Sequence, residues 1–157
     1  MPPEHDARRA IRDLVEAWAL WRDAGEWERL RTVWHDDGRM MATWFQGSAD
    51  DFVRVSREGF ERGVRILHFL GGTAVDLAGD RAIAQTKMTI SQRAEVEGVV
   101  CDVVCTGRFY DFLERRVRAL GHRSSDPHRN PSCRRRPSAG LSVENRRGPR
   151  TSRRAAG

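Results

Sequence analysis

The sequence predicts an α+β domain, and three observations carry that reading. Apolar residues recur at helical spacing through the first third of the chain. Long runs rich in β-branched and aromatic residues fill 64–115. Between them lie Gly- and Asp-containing turn signals, so helices come first and an antiparallel meander follows. Charge marks where the domain stops. Residues 117–157 hold eleven Arg against Asp126 and Glu144, a local charge of +9. The 157-residue chain carries +6 in total, which leaves residues 1–116 at −3. The tail has no aromatic residue and few aliphatic ones, too little apolar surface to offset the entropy of ordering it. We therefore expect a domain over 1–116 and a disordered Arg/Ser/Pro-rich tail over 117–157.

Ile11, Leu14, Val15, Trp18 and Trp21 predict a first helix over about residues 5–22, with Gly25 suited to the link that follows. Asp23 then sits at the end of an apolar helix, where the backbone dipole disfavours a negative charge. Trp27, Leu30, Val33 and Trp34 predict the buried stripe of a second helix, stopped by Asp36-Asp37-Gly38. Residues 39–45, RMMATWF, read as a strand. Ser48 with Asp51 resembles a capping box and opens a third helix to about residue 62, with Phe52, Val55 and Phe60 inward. Three long strands follow, 64–77, 81–94 and 99–115, joined at Ala78-Gly79-Asp80 and at Glu97-Gly98.

Composition narrows the function classes. No apolar run reaches the length of a membrane span, and the charged N-terminus does not read as a secretory signal. Cys101 and Cys105, four residues apart in a strand, are separated by roughly 13 Å and cannot pair with each other. Cys133 lies in the tail, so the cysteines suggest a reducing compartment, the cytoplasm. His35-Asp36-Asp37 reads as a turn before it reads as metal ligands, since consecutive residues there converge poorly on one ion. His5 reads as exposed, and His122 and His128 belong to the tail. We expect no metal and no cofactor: there is no Gly-rich phosphate loop and no nucleophile elbow. Nucleic-acid binding through the tail ranks last, because the tail offers Arg but no Lys, no stacking aromatics and no periodicity.

The element order, with Asp23 closing the first helix, LRTVWHDDGRM at 30–40 and His68 in ILHFLGGT, resembles the SnoaL-like branch of the nuclear transport factor 2-like superfamily. That branch includes scytalone dehydratase, hexachlorocyclohexane dehydrochlorinase and polyketide cyclases. The resemblance spans roughly residues 5–116. It implies a cone-shaped α+β barrel, in which a strongly curved antiparallel sheet wraps the N-terminal helices around an apolar pocket. It also implies that Asp23 and His68 form a catalytic pair facing that pocket. The chemistry needs both residue types. A histidine neutral at working pH can remove a proton beside a leaving group. A carboxylate on the other ring nitrogen fixes the tautomer and stabilises the imidazolium.

The function expected from the resemblance is a cofactor-independent lyase or isomerase acting on a small apolar cyclic molecule. The alternative is a binding or dimerisation module on the same fold. Trp18 and Met40 are candidate substrate-binding residues, although such side chains more often serve as core. Relatives commonly form homo-oligomers through their sheet faces, and the apolar texture of VVCDVVC fits that. They also follow the long strand with one more strand, whereas FYDFLERR here runs into Arg-, Ser- and Pro-rich sequence that reads like an out-of-frame translation. Codons can be chosen for residues 118–125 so that the frame one base onward encodes Gly-Arg-Trp-Gly-Ile-Val-Leu-Arg, a strand of the expected kind.

Overall fold

A computed structural model describes residues 4–116 and the backbone of 134–136. The first helix, α1, runs Glu4–Ala24 and buries Ile11, Val15, Trp18, Ala19 and Arg22 along one stripe. It ends in a Schellman motif. Gly25 takes φ +74, and the Glu26 N–H donates to the Trp21 carbonyl at 2.9 Å. A side chain at Gly25 would also meet the Phe60 ring at 3.2 Å, so both conformation and space call for glycine. Because α1 is longer than the periodicity suggests, Asp23 lies inside its last turn.

The second helix, α2, is only Trp27–Arg31, so the expectation of a helix through Trp34 is corrected. Val33 and Trp34 are fully buried but reach the interior from the turns that follow. Arg31 explains the early stop. Its guanidinium contacts the Trp34 and His35 carbonyls (3.3 and 3.4 Å) and Asp50 (2.5 Å), collecting the chain reversal around one cation. The expected strand 39–45 is likewise a hairpin: β1 (Arg39–Met41) pairs antiparallel with β2 (Gln46–Ser48). The third helix, α3 (Ala49–Glu61), starts as predicted at Ser48, whose hydroxyl accepts from the Asp51 N–H at 3.1 Å. Phe52 is buried, whereas Val55 and Phe60 are half-buried; Ser56 takes the inward position of that turn.

The main sheet is an antiparallel meander of β3 (Ile66–Ala78), β4 (Arg81–Val96) and β5 (Val99–Glu114). Glu97 (φ 53) and Gly98 (φ 77) make a two-residue hairpin between Val96 and Val99, the mirror-image turn that matches strand twist. The inner face alternates cleanly on β4, through Ala82, Ala84, Thr86 and Met88, and on β5, through Phe109, Asp111 and Leu113. On β3 it does not. Leu70 pairs with Met88 but Thr73 with Thr86, so one extra residue bulges at Gly71-Gly72. Inward positions are even-numbered before the bulge (His68, Leu70) and odd-numbered after it (Thr73, Val75). A side chain at Gly71 would meet Lys87 Cβ at 3.1 Å. Arg12 and Arg8 on α1 donate to the carbonyls of Thr73 and Val75, fastening the helix to the strand just past the bulge.

Packing of α1 and α3 against the inner face creates two clusters. One joins Trp18, Leu30, Val33, Trp34, Phe52, Met88 and Phe109, and the other Ile11, Val75, Ala82, Ala84 and Leu113. At the β5 edge the backbone of β6 (Arg134–Arg136) pairs with Phe112–Glu114. Apart from those three residues, the expectations of disorder and of a frame error over 117–157 fall outside the described residues. No described helix is long and apolar enough to cross a membrane.

Candidate active site

Asp23 is delivered by the last turn of α1 and His68 by the third residue of β3, 45 positions apart in sequence. The two meet through a two-point contact. The His68 backbone N–H donates to Asp23 Oδ2 at 2.7 Å, and the His68 ring nitrogen Nδ1 lies 2.6 Å from Oδ1. A carboxylate only accepts, so in this contact Nδ1 donates, and in the neutral ring that leaves the lone pair on Nε2. The side chains are 14% and 6% exposed for Asp23 and His68. A carboxylate near a helix C-terminus costs about 0.3–1 kcal/mol against the dipole. Two short hydrogen bonds from one residue offset that and explain why the acid is tolerated.

Aromatic rings fix the imidazole in place. Trp18 meets the His68 ring edge-on with centroids 5.1 Å apart, and Phe109 lies 6.1 Å from it. Trp18 and Phe109 also pack edge to face at 5.2 Å. The sheet places Ile90 and Cys105 in the same row as His68 on successive strands. Of the residues singled out from sequence, the structure thus brings Asp23, His68 and Trp18 together. Met40 belongs to the same apolar cluster as Trp18 and is 8% exposed, a core position. Phe109 was not singled out from sequence; its place follows from β5 alternation once the strand register is known.

A second residue escaped the sequence reading. Arg22, next to Asp23, is 5% exposed and projects from the same α1 stripe as Trp18, one turn on. Burial pushes its pKa down from the ordinary arginine value, and the charge of Asp23 pulls it back up. Its guanidinium lies 5.8 Å from the centre of the Trp27 ring.

The other candidates do structural work. His35 donates Nε2–H to the Glu114 carbonyl at 2.9 Å, and Asp37 bonds Arg116 at 2.7 Å, so the loop before β1 is tied to the end of β5. Arg116 holds the Asp37 carboxyl below the usual carboxylate range. No group of three potential metal ligands converges among the described residues. A hollow of about 350 Å³, with Leu77, Ile83 and Phe112 in its wall, opens at the β3–β4 turn. It lies at the opposite end of β3 from His68 and does not outline space for the pair.

The helix-wrapped antiparallel sheet with an inward Asp–His contact defines a nuclear transport factor 2-like α+β cone. The SnoaL-like domain model matches residues 3–120, and the chain belongs to that family. It is 35% identical over 111 residues to pea pathogenicity protein 2 of Fusarium vanettenii, covering 69% of this chain and 48% of that protein. The chain thus spans about half the length of this curated relative. Among solved structures it is similar to Kfla4162 of Kribbella flavida (TM-score 0.70, 16% identity, 90% of this chain and 93% of the other). It is also similar to a candidate scytalone dehydratase of Novosphingobium aromaticivorans (TM-score 0.66, 14% identity, 98% and 97%). At those identities the likeness is one of fold.

Proposed function

We propose that this domain is a cofactor-independent lyase or isomerase that removes a proton from carbon in a small apolar cyclic molecule. His68 Nε2 is the base, and Asp23 holds the ring in the Nδ1-protonated tautomer and stabilises the imidazolium formed on proton transfer. Trp18 packs against the base, and Trp18 with Met40 contributes apolar surface to the substrate. The single observation that carries the reading is the two-point contact of Asp23 with the His68 ring and backbone, at 2.6 and 2.7 Å. A merely structural ion pair has no need to orient a ring that is also boxed by two aromatic side chains. The family, and the dehydratase-like structural neighbour, are consistent with it. The compartment belongs to the proposal too: Cys101 and Cys105 are free thiols, as in a reducing cytoplasm.

Proton abstraction can be tested without knowing the full reaction. Incubating a panel of cyclic ketones and cyclic halides in D₂O, with exchange followed by NMR, reads the first step directly. Wild type should exchange an acidic C–H, and His68→Ala should lower the rate about 10²–10⁴-fold. Equal exchange by the two proteins removes His68 from the chemistry and leaves the binding-module reading.

A specific observation supports association of the same domain with itself. The outer sheet face exposes Leu67 (56%), Phe69 (59%) and Val104 (56%), a grouping unusual for a surface left in water. We infer a homo-oligomer packed through this face. Light scattering should give a multiple of the monomer mass that falls to the monomer in Phe69→Lys; a wild-type monomer at micromolar concentration refutes it.

A further inference from the structure

Arg22 is a cation in the wrong place for stability. It is 5% exposed and lies on the α1 stripe that otherwise buries Ile11, Val15, Trp18 and Ala19. Buried guanidinium groups are normally met by a carboxylate or by several carbonyl oxygens. Among the described residues Arg22 has neither an ion pair within 4.0 Å nor a protein hydrogen-bond acceptor; what its guanidinium meets is the Trp27 ring at 5.8 Å, the field of Asp23 and, through its small exposed fraction, solvent. Asp23 directs one acceptor site of each oxygen to His68 and makes no ion pair with Arg22 within 4.0 Å; it acts on Arg22 only through its charge. An aliphatic side chain would fill the same volume with no desolvation cost. The position of Arg22 also ties it to the pair. Residues i and i+4 on a helix are neighbours, so Arg22 stands one turn from Trp18, whose ring touches that of His68 at 5.1 Å.

We propose that Arg22 is a specificity-determining residue that binds a carboxylate of the substrate, so that the ligand is an apolar ring bearing one carboxylate group. This rests on the Asp23–His68 reading for its catalytic meaning but not for its binding test. The guanidinium is a planar fork of N–H donors that matches a carboxylate two-pronged, and its apolar surroundings strengthen that contact relative to water. The link from there to the base runs through Trp18, one helical turn back, whose ring meets that of His68 at 5.1 Å. The charge count agrees: Asp23 and Arg22 cancel, and a bound carboxylate leaves one negative charge to favour the imidazolium that proton transfer creates.

Calorimetric titration of the full chain with benzoate, cyclohexanecarboxylate and 1-naphthoate, each against its neutral amide, tests this. Wild type should prefer at least one acid over its amide by about tenfold or more, as charge-assisted bidentate contacts do. Arg22→Leu should lose that preference while its melting temperature stays level or rises, because an uncompensated buried charge has been removed. Arg22→Lys should retain a reduced preference, since the charge remains and the fork does not. His68→Ala should keep the full preference, which separates failure of the anion site from failure of the proton-transfer reading. Acids binding no better than amides, no binding of any acid at millimolar concentration, or a preference that survives in Arg22→Leu would each overturn the proposal. A fall in melting temperature for Arg22→Leu with unchanged ligand preference would mark Arg22 as structural.

Discussion

The two ends of the inner sheet face are built from the same strands and yet hold different side chains. Toward the β3–β4 turn, Ile11, Val75, Ala82, Ala84 and Leu113 close on one another as an aliphatic cluster, with the buried Asp111 in the same row as Val75 and Ala84. Toward the start of β3, the large rings of Trp18, Trp34, Phe52 and Phe109 cluster, and Trp18 and Phe109 flank the histidine that Asp23 holds. At the first end small aliphatic side chains pack together, and the hollow of about 350 Å³ opens at the rim of that cluster, beside Ala82 and Leu113. At the second end rings meeting edge to face at 5–6 Å hold the histidine between them, and Trp18, Trp34 and Phe52 are as deeply buried as the aliphatic cluster. The proposed proton transfer belongs to one end only.

Substitutions at the two ends should therefore separate rate from stability. The largest effect is expected from Asp23→Asn. The amide oxygen accepts the His68 backbone N–H, while its NH₂ turns Nδ1 into an acceptor and moves the ring proton to Nε2. C–H exchange should fall roughly 10²–10⁴-fold, with a melting temperature close to that of wild type. A rate within a factor of about two of wild type would break the contrast by showing that tautomer control at this end does not matter. At the other end, Leu113→Ala should lower unfolding free energy by about 2–5 kcal/mol, since Leu113 is 1% exposed in a close-packed cluster. Exchange per folded molecule should be unchanged. Denaturant titration beside the NMR assay checks both, and a rate loss in Leu113→Ala that exceeds its loss of folded protein would join the two ends into one unit.

What the sequence made legible follows the same division. The α+β order, the Ser48 cap and the Glu97-Gly98 turn are local signals, and all of them stand in the structure. The family resemblance carried Asp23 to His68 across 45 residues, a link that periodicity alone does not supply. Three features were not legible for identifiable reasons. Helix α2 stops short because Arg31 gathers downstream carbonyls, a tertiary contact that outweighs the apolar spacing of Val33 and Trp34. The strand at 39–45 folds back on itself because the backbone from Ala42 to Phe45 closes on a 2.7 Å hydrogen bond. Arg22 stood out in no sequence pattern, and only its burial on the stripe of Trp18 singles it out.

The bulge at Gly71-Gly72 couples the two ends through chain length. His68 points inward as an even-numbered residue and Val75 as an odd-numbered one, and the extra residue at the glycine pair reconciles them. Deleting one glycine would restore strict alternation: Val75 would then stand an even number of residues from His68 and both would still point inward, but the strand would lose the bend and added twist of the bulge. The extra residue is thus there for shape rather than for sidedness: it bends β3 between its histidine end and its aliphatic end, and a strand without it would carry the same inward side chains on a straighter ladder.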